Sequence, residues 1–169
     1  MRAGAIVLIG ALLVACAPQT SATTPTASSP PLQPSIIAAG CGSTAVLHGG
    51  IPAWLDDAGG HNNPADLDYV IAHPPLAAGF LFTYPLQAGL GDQVPMKILW
   101  VVRTPRKGTS LIVDGHPLNA SSPTVHEVRP DNSGPGEIYP DGVNVPSPGC
   151  WQFDLRWANS NVQVDLNYQ

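Results

Sequence analysis

Five histidines, His48, His61, His73, His116 and His126, are the side chains of this 169-residue sequence that titrate near neutral pH. No two of them stand at H-x-H, H-x-x-H or H-x-x-x-H spacing, the intervals that set two imidazoles on one metal. His73 and His116 each precede a proline, which marks a turn. The least unfavourable set for a copper-type centre is His48, Met96 and His116. The spacing predicts neither metal nor cofactor.

Asp56, Asp57 and His61 fall in the loop Asp-Asp-Ala-Gly-Gly-His-Asn-Asn. Carboxylates beside an imidazole suit Ca²⁺ binding or acid–base work. The interval departs from the EF-hand pattern, and a solvated loop is the plainer reading. Arg103, Arg106 and Lys107 gather at what reads as one hairpin tip, where they would meet anionic polymer or lipid headgroups. Trp100 and Trp151 read as core, whereas Trp54, after Pro52, reads as an exposed aromatic fit for a ligand platform. Nucleophilic catalysis has no support: G-x-S-x-G, H-E-x-x-H and a phosphate-binding glycine loop are all missing from the sequence. Gly-Cys-Gly-Ser at 40–43 resembles a nucleophile elbow only superficially. Together Trp54, Asp56, Asp57, His61, Arg103, Arg106 and Lys107 form the candidate ligand surface of a non-catalytic protein.

These residues need a scaffold, and composition limits which one. Charged residues are 11% of the chain, against about 25% in typical soluble proteins. Pro (19) and Gly (17) together exceed a fifth, which favours turns and strands over helices. The formal net charge of −5 leaves no basic surface for nucleic acid.

The N-terminus reads as an export signal. Arg2 supplies a positive start, and 6–14 form an apolar run too short to cross a bilayer as a permanent helix. Leu13-Val14-Ala15-Cys16 resembles the lipobox of bacterial lipoproteins. The resemblance implies diacylglyceryl transfer to the Cys16 sulfur, cleavage before it, and a lipid-anchored protein on the extracytoplasmic face of a cell membrane. Ala38-Ala39-Gly40-Cys41 is a rival box, but Pro and Ser rather than an apolar run precede it.

Residues 17–39 contain five Pro, four Ser and four Thr, with no charge and no aromatic. That composition cannot bury enough apolar surface to fold, so it reads as a disordered tether. The organisation expected is therefore 1–15 leader, 16–39 lipidated Cys and tether, and 40–169 domain. With Cys16 given to lipid, Cys41 and Cys150 remain at the two ends of the domain. In an oxidising compartment they are expected to pair; the alternative is two free thiols.

Strand signals recur at 44–48, 69–73, 79–84, 97–103, 110–113, 124–129, near 138, 150–157 and 162–168. The last two alternate apolar and polar residues without a break, which makes a hairpin with one buried face joined by Ala-Asn-Ser-Asn. Asp114-Gly115 reads as a tight turn. Seven to nine short antiparallel strands with one long-range disulfide predict an all-β, immunoglobulin-like sandwich. Alternation puts Cys150 opposite Trp151, so the bridge should lie at an edge or end.

Val-Pro-Ser-Pro-Gly-Cys-Trp-Gln-Phe-Asp-Leu-Arg-Trp at 145–157 resembles the closing segment of a set of uncharacterised bacterial lipoproteins with a small extracytoplasmic immunoglobulin-like domain. Lys-Ile-Leu-Trp-Val-Val-Arg and Leu-Ile-Val-Asp-Gly-His-Pro-Leu are similar to theirs as well. The resemblance spans about 41–169 and implies that fold but no activity. The function expected is a membrane-anchored binding or accessory module for a protein or cell-wall partner. A copper-type metal handler is the alternative, and a surface hydrolase the third reading.

Overall fold

The computed structural model describes residues 32–59, 67–91, 96–103, 105–106 and 108–169. Cys16, the leader, most of the expected tether, His61 and Lys107 lie outside the described residues. Among the described residues ten strands form two antiparallel sheets. They are β1 (Ser35–Cys41), β2 (Thr44–His48), β3 (Asp68–Ile71), β4 (Ala77–Leu81), β5 (Lys97–Val102), β6 (Leu111–Pro117), β7 (Val125–Arg129), β8 (Ile138–Gly142), β9 (Gly149–Trp157) and β10 (Ser160–Tyr168). Among the described residues one α-helix, α1 (Ala53–Ala58), lies between β2 and β3. The six-stranded sheet runs β1-β2-β3-β4-β5-β8 and the four-stranded sheet β10-β9-β6-β7. The architecture is an all-β sandwich. It is immunoglobulin-like in its two antiparallel layers, though six strands face four where the constant-type domain sets four against three.

Alternation builds the core. Trp151, Phe153, Leu155 and Trp157 of β9 point inward with Val162, Val164, Leu166 and Tyr168 of β10. They meet Ile98, Trp100 and Val102 of β5 from the other sheet. Gly79 of β4 stands opposite Trp100, and a Cβ there would lie 2.6 Å from the indole. The glycine makes room for the largest core side chain.

The outer face of the larger sheet is apolar too. Ile36, Leu47, Tyr69, Phe80 and Leu99 stand opposite one another in turn from β1 to β5. α1 lays Leu55, fully buried, on the middle of this row. β4 is therefore buried on both faces, which explains its unbroken apolar run.

Several expectations need correction. The domain starts before residue 40, because 35–39 pair with β2 as most of β1. Asp114-Gly115 lies inside β6; Gly115 faces Phe153, whose ring would be 2.4 Å from any Cβ. β5 and β6 belong to different sheets, so they form no hairpin, and Arg103 and Arg106 do not sit at a hairpin tip. The hairpin loop of β9 and β10 is only Ala158 and Asn159, since Ser160 already pairs with Trp157.

Cys41 and Cys150 are bonded, with Cα atoms 5.7 Å apart. Cys41 ends the edge strand β1 and Cys150 lies near the start of β9, so the bridge ties one sheet to the other at an edge. Close by, Gly42 and Ser43 turn β1 into β2 beneath Asp165. Its Oδ2 accepts hydrogen bonds from the Ser43 amide at 2.7 Å and the Ser43 hydroxyl at 3.0 Å.

Candidate functional site

β8 ends the larger sheet and β7 ends the smaller one. Where these two edges approach, the sandwich leaves an open groove of about 650 Å³, with Lys97, His126, Glu127, Arg129, Asp141 and Asn144 on its walls. Pro140, also on the wall, sits within the edge strand β8, where a missing N–H costs no ladder bond.

Asp141 organises the floor. Its side chain is fully buried and bonded to the Arg129 Nε–H. It also accepts the Trp100 indole N–H at 3.2 Å and the Gly142 amide at 2.7 Å. A buried carboxylate is tolerable only when its lone pairs are satisfied, and these donors come from β5, β7 and β8 together. Arg129 adds a bond to Glu127 at 2.9 Å. Beneath them, the Tyr168 hydroxyl donates to the Val143 carbonyl at 3.2 Å. Burial raises its pKa, and the negative charge of Asp141 pushes the same way. Burial likewise raises the hydroxyls of Tyr69 and Tyr139.

The mouth is different. Lys97 is exposed and holds its ammonium 4.3 Å from the Phe82 ring. His126 is exposed and bonded through Nδ1 to Asp114 at 2.5 Å, while Arg156 takes the other oxygen of Asp114 at 2.5 Å. The groove thus has a neutralised floor and a charged, mixed-sign mouth. That suits an extended polar ligand better than an apolar one.

The residues singled out from sequence separate. Trp54 is half-buried on α1, and Arg103 stacks its guanidinium 5.6 Å from the indole, so these two do meet. Asp56 and Asp57 follow on the same helix. Arg106 is committed to the fold: it donates to the carbonyls of Ile138 at 2.6 Å and Gly134 at 2.5 Å and stacks on Tyr139. It is no ligand-facing cation. His48 pairs with Asp68 at 2.8 Å, Met96 is buried, and His116 contacts the Pro117 carbonyl at 2.9 Å. His48 and Met96 flank opposite ends of a strand order three places apart, roughly 14 Å at the usual spacing. His116 belongs to the other sheet, so the fold does not bring the three together. Trp100 and Trp151 are core, as their alternation predicts.

Sequence reasoning missed the groove. Its walls come from three strands with no local motif, and the only signal was the charge-bearing alternation of Val-His-Glu-Val-Arg in β7.

Compared with protein-family models, curated proteins and solved structures, the chain matches none.

Proposed function

We propose that the chain is exported, lipidated on Cys16 and held outside the cytoplasm as a non-catalytic binding or accessory module. Its partner is a polar component of the envelope, protein or cell-wall polymer, taken in the groove between β7 and β8. The construction of that groove carries the reading. Asp141 and Arg129, the charged pair at its floor, are bonded to each other and to the fold. Their part is to hold two sheet edges at a fixed separation, which serves recognition rather than proton transfer. The Cys41–Cys150 bridge supports the compartment, since such bonds persist where the medium is oxidising.

A photo-cross-linking residue in place of Lys97 tests the reading in living cells. The expected result is a discrete adduct with an envelope component that is lost when the same residue replaces Gln163, exposed on the far sheet. Equal, diffuse labelling from both positions would reject the groove as the binding face.

A further inference from the structure

The apolar row on the outer face of the larger sheet extends past the helix that covers it. α1 buries Tyr69 and Phe80 and half-covers Leu47. Beyond Leu47, at the β1 edge, Ile36 is 68% exposed. Its neighbour Ile37 is 47% exposed, and Leu32, just before β1, is 86% exposed. Three large apolar side chains therefore face solvent within one short stretch, and one of them, Ile36, continues a row that is otherwise buried or half-buried.

Charge, backbone and position together select what covers them. Natural sheet edges are usually guarded by charge. Here the sequence from Ala3 to Leu55 contains no Asp, Glu, Lys or Arg at all. Residues 32–41 themselves can approach a low-dielectric surface without stripping water from an ion, and the nearby Asp68 is paired with His48, which stands opposite Ser35. The backbone argues against a second strand as the occupant. Register slips between Ile36 and Ala38, and again between Ala38 and Cys41. Bulges of this kind bend an edge and interrupt the row of free amides and carbonyls that strand addition needs. The side chains stay presented while pairing is hindered. Position supplies the rest: Leu32 follows Cys16 by sixteen residues, about 50 Å of reach for a polyproline-like chain.

We propose that β1 seats on the lipid bilayer that the Cys16 lipid would enter, with Leu32, Ile36 and Ile37 reaching the boundary between headgroups and acyl chains. This seat rests on the lipid-anchor reading above. A tether makes the contact intramolecular, at an effective concentration in the millimolar range, so a weak apolar contact becomes well populated. The domain is acidic, with all twelve Asp and Glu residues falling after Leu55. The contact is apolar and gains nothing from anionic lipid or low salt.

Hydrogen–deuterium exchange on the full chain, purified from bacterial membranes and reconstituted in phosphatidylcholine vesicles, tests the seat. Exchange across residues 32–41 is expected to slow roughly tenfold relative to the unlipidated Cys16→Ser chain free in solution, and the double variant Ile36→Ser/Ile37→Ser to abolish most of that protection with its melting temperature kept. Adding phosphatidylglycerol leaves the protection unchanged. If Cys16 carries no acyl mass, the anchor reading fails separately, and the same exchange is measured on chain coupled through Cys16 to a maleimide lipid. Unchanged exchange on vesicles by either attachment overturns the seat. So does protection that appears without vesicles as the chain dimerises, or that grows with anionic lipid.

Discussion

Asp165 accepts the backbone N–H of Ser43 at 2.7 Å, across 122 positions of sequence, and so fixes the β1–β2 turn to the last strand. The same carboxylate explains Gly42, whose φ of +56° and lack of a Cβ are both required: an added Cβ would lie 2.1 Å from Asp165 Oδ2. Asp165→Ala is expected to cost about 2–3 kcal/mol in urea unfolding, the loss of hydrogen bonds to a buried carboxylate. Gly42→Ala is expected to cost a similar amount, but less when Asp165 is already Ala, because the two shortest contacts, to Oδ2 and Cγ, go with the carboxylate and only the contact to the residue-165 Cβ at 2.9 Å stays. A double-mutant cycle that shows strict additivity would contradict this coupling.

The bridge beside that turn closes a loop of 109 residues. In the chain-entropy model, removing it with Cys41→Ser/Cys150→Ser destabilises the domain by about 4–5 kcal/mol. Denaturant midpoints of the oxidised chain and the double variant measure the difference. A loss below about 1 kcal/mol would mean that the reduced chain keeps the two sheets together unaided.

Asp141 is the polar knot of the groove. Asp141→Ala leaves the Trp100 indole N–H and the Arg129 guanidinium without their shared acceptor, and is expected to cost about 3–5 kcal/mol. Arg129→Ala leaves the same carboxylate short of its cation and should fall in that range as well. The two together should cost far less than their sum, read by urea unfolding and by the Trp emission maximum.

Tyr168 contributes to the behaviour in alkali, beside Tyr69 and Tyr139. Its pKa is raised in the fold above the ordinary value near 10, chiefly by burial. A raised pKa contributes stability that is complete below pH 10 and is lost as pH climbs toward the folded value. Tyr168→Phe removes the bond to the Val143 carbonyl and should cost about 1 kcal/mol at pH 7. Above pH 10 the gap should close by about 1.4 kcal/mol per pH unit, since phenylalanine has no proton to lose. Thermal melts of both proteins between pH 7 and 11 give the comparison. A gap that is constant with pH would contradict it.

The parts of the fold legible in sequence are those whose side chains repeat with the period of their own backbone. β9 and β10 alternate without interruption and could be placed to within one or two residues. β1 was hidden because it continues a Pro-, Ser- and Thr-rich stretch without charge, which resembles a linker until β2 and the disulfide hold its end. α1 was hidden because six residues are too few to show a helical stripe. Gly115 imitated a turn for a reason that lies in another strand, the Phe153 ring above it. Arg106 imitated a ligand-facing cation, yet its donors are used by the carbonyls of Gly134 and Ile138. The groove was illegible because nothing local in Lys97, Arg129 and Asp141 says that β5, β7 and β8 converge.

Export and lipidation underlie both the compartment and the bilayer seat, and the mass of the N-terminal peptide from protein isolated out of cell membranes tests them most directly. The expected peptide begins at Cys16 and carries a diacylglyceryl mass on its sulfur. A peptide that begins at Met1 with an unmodified Cys16 would contradict the account.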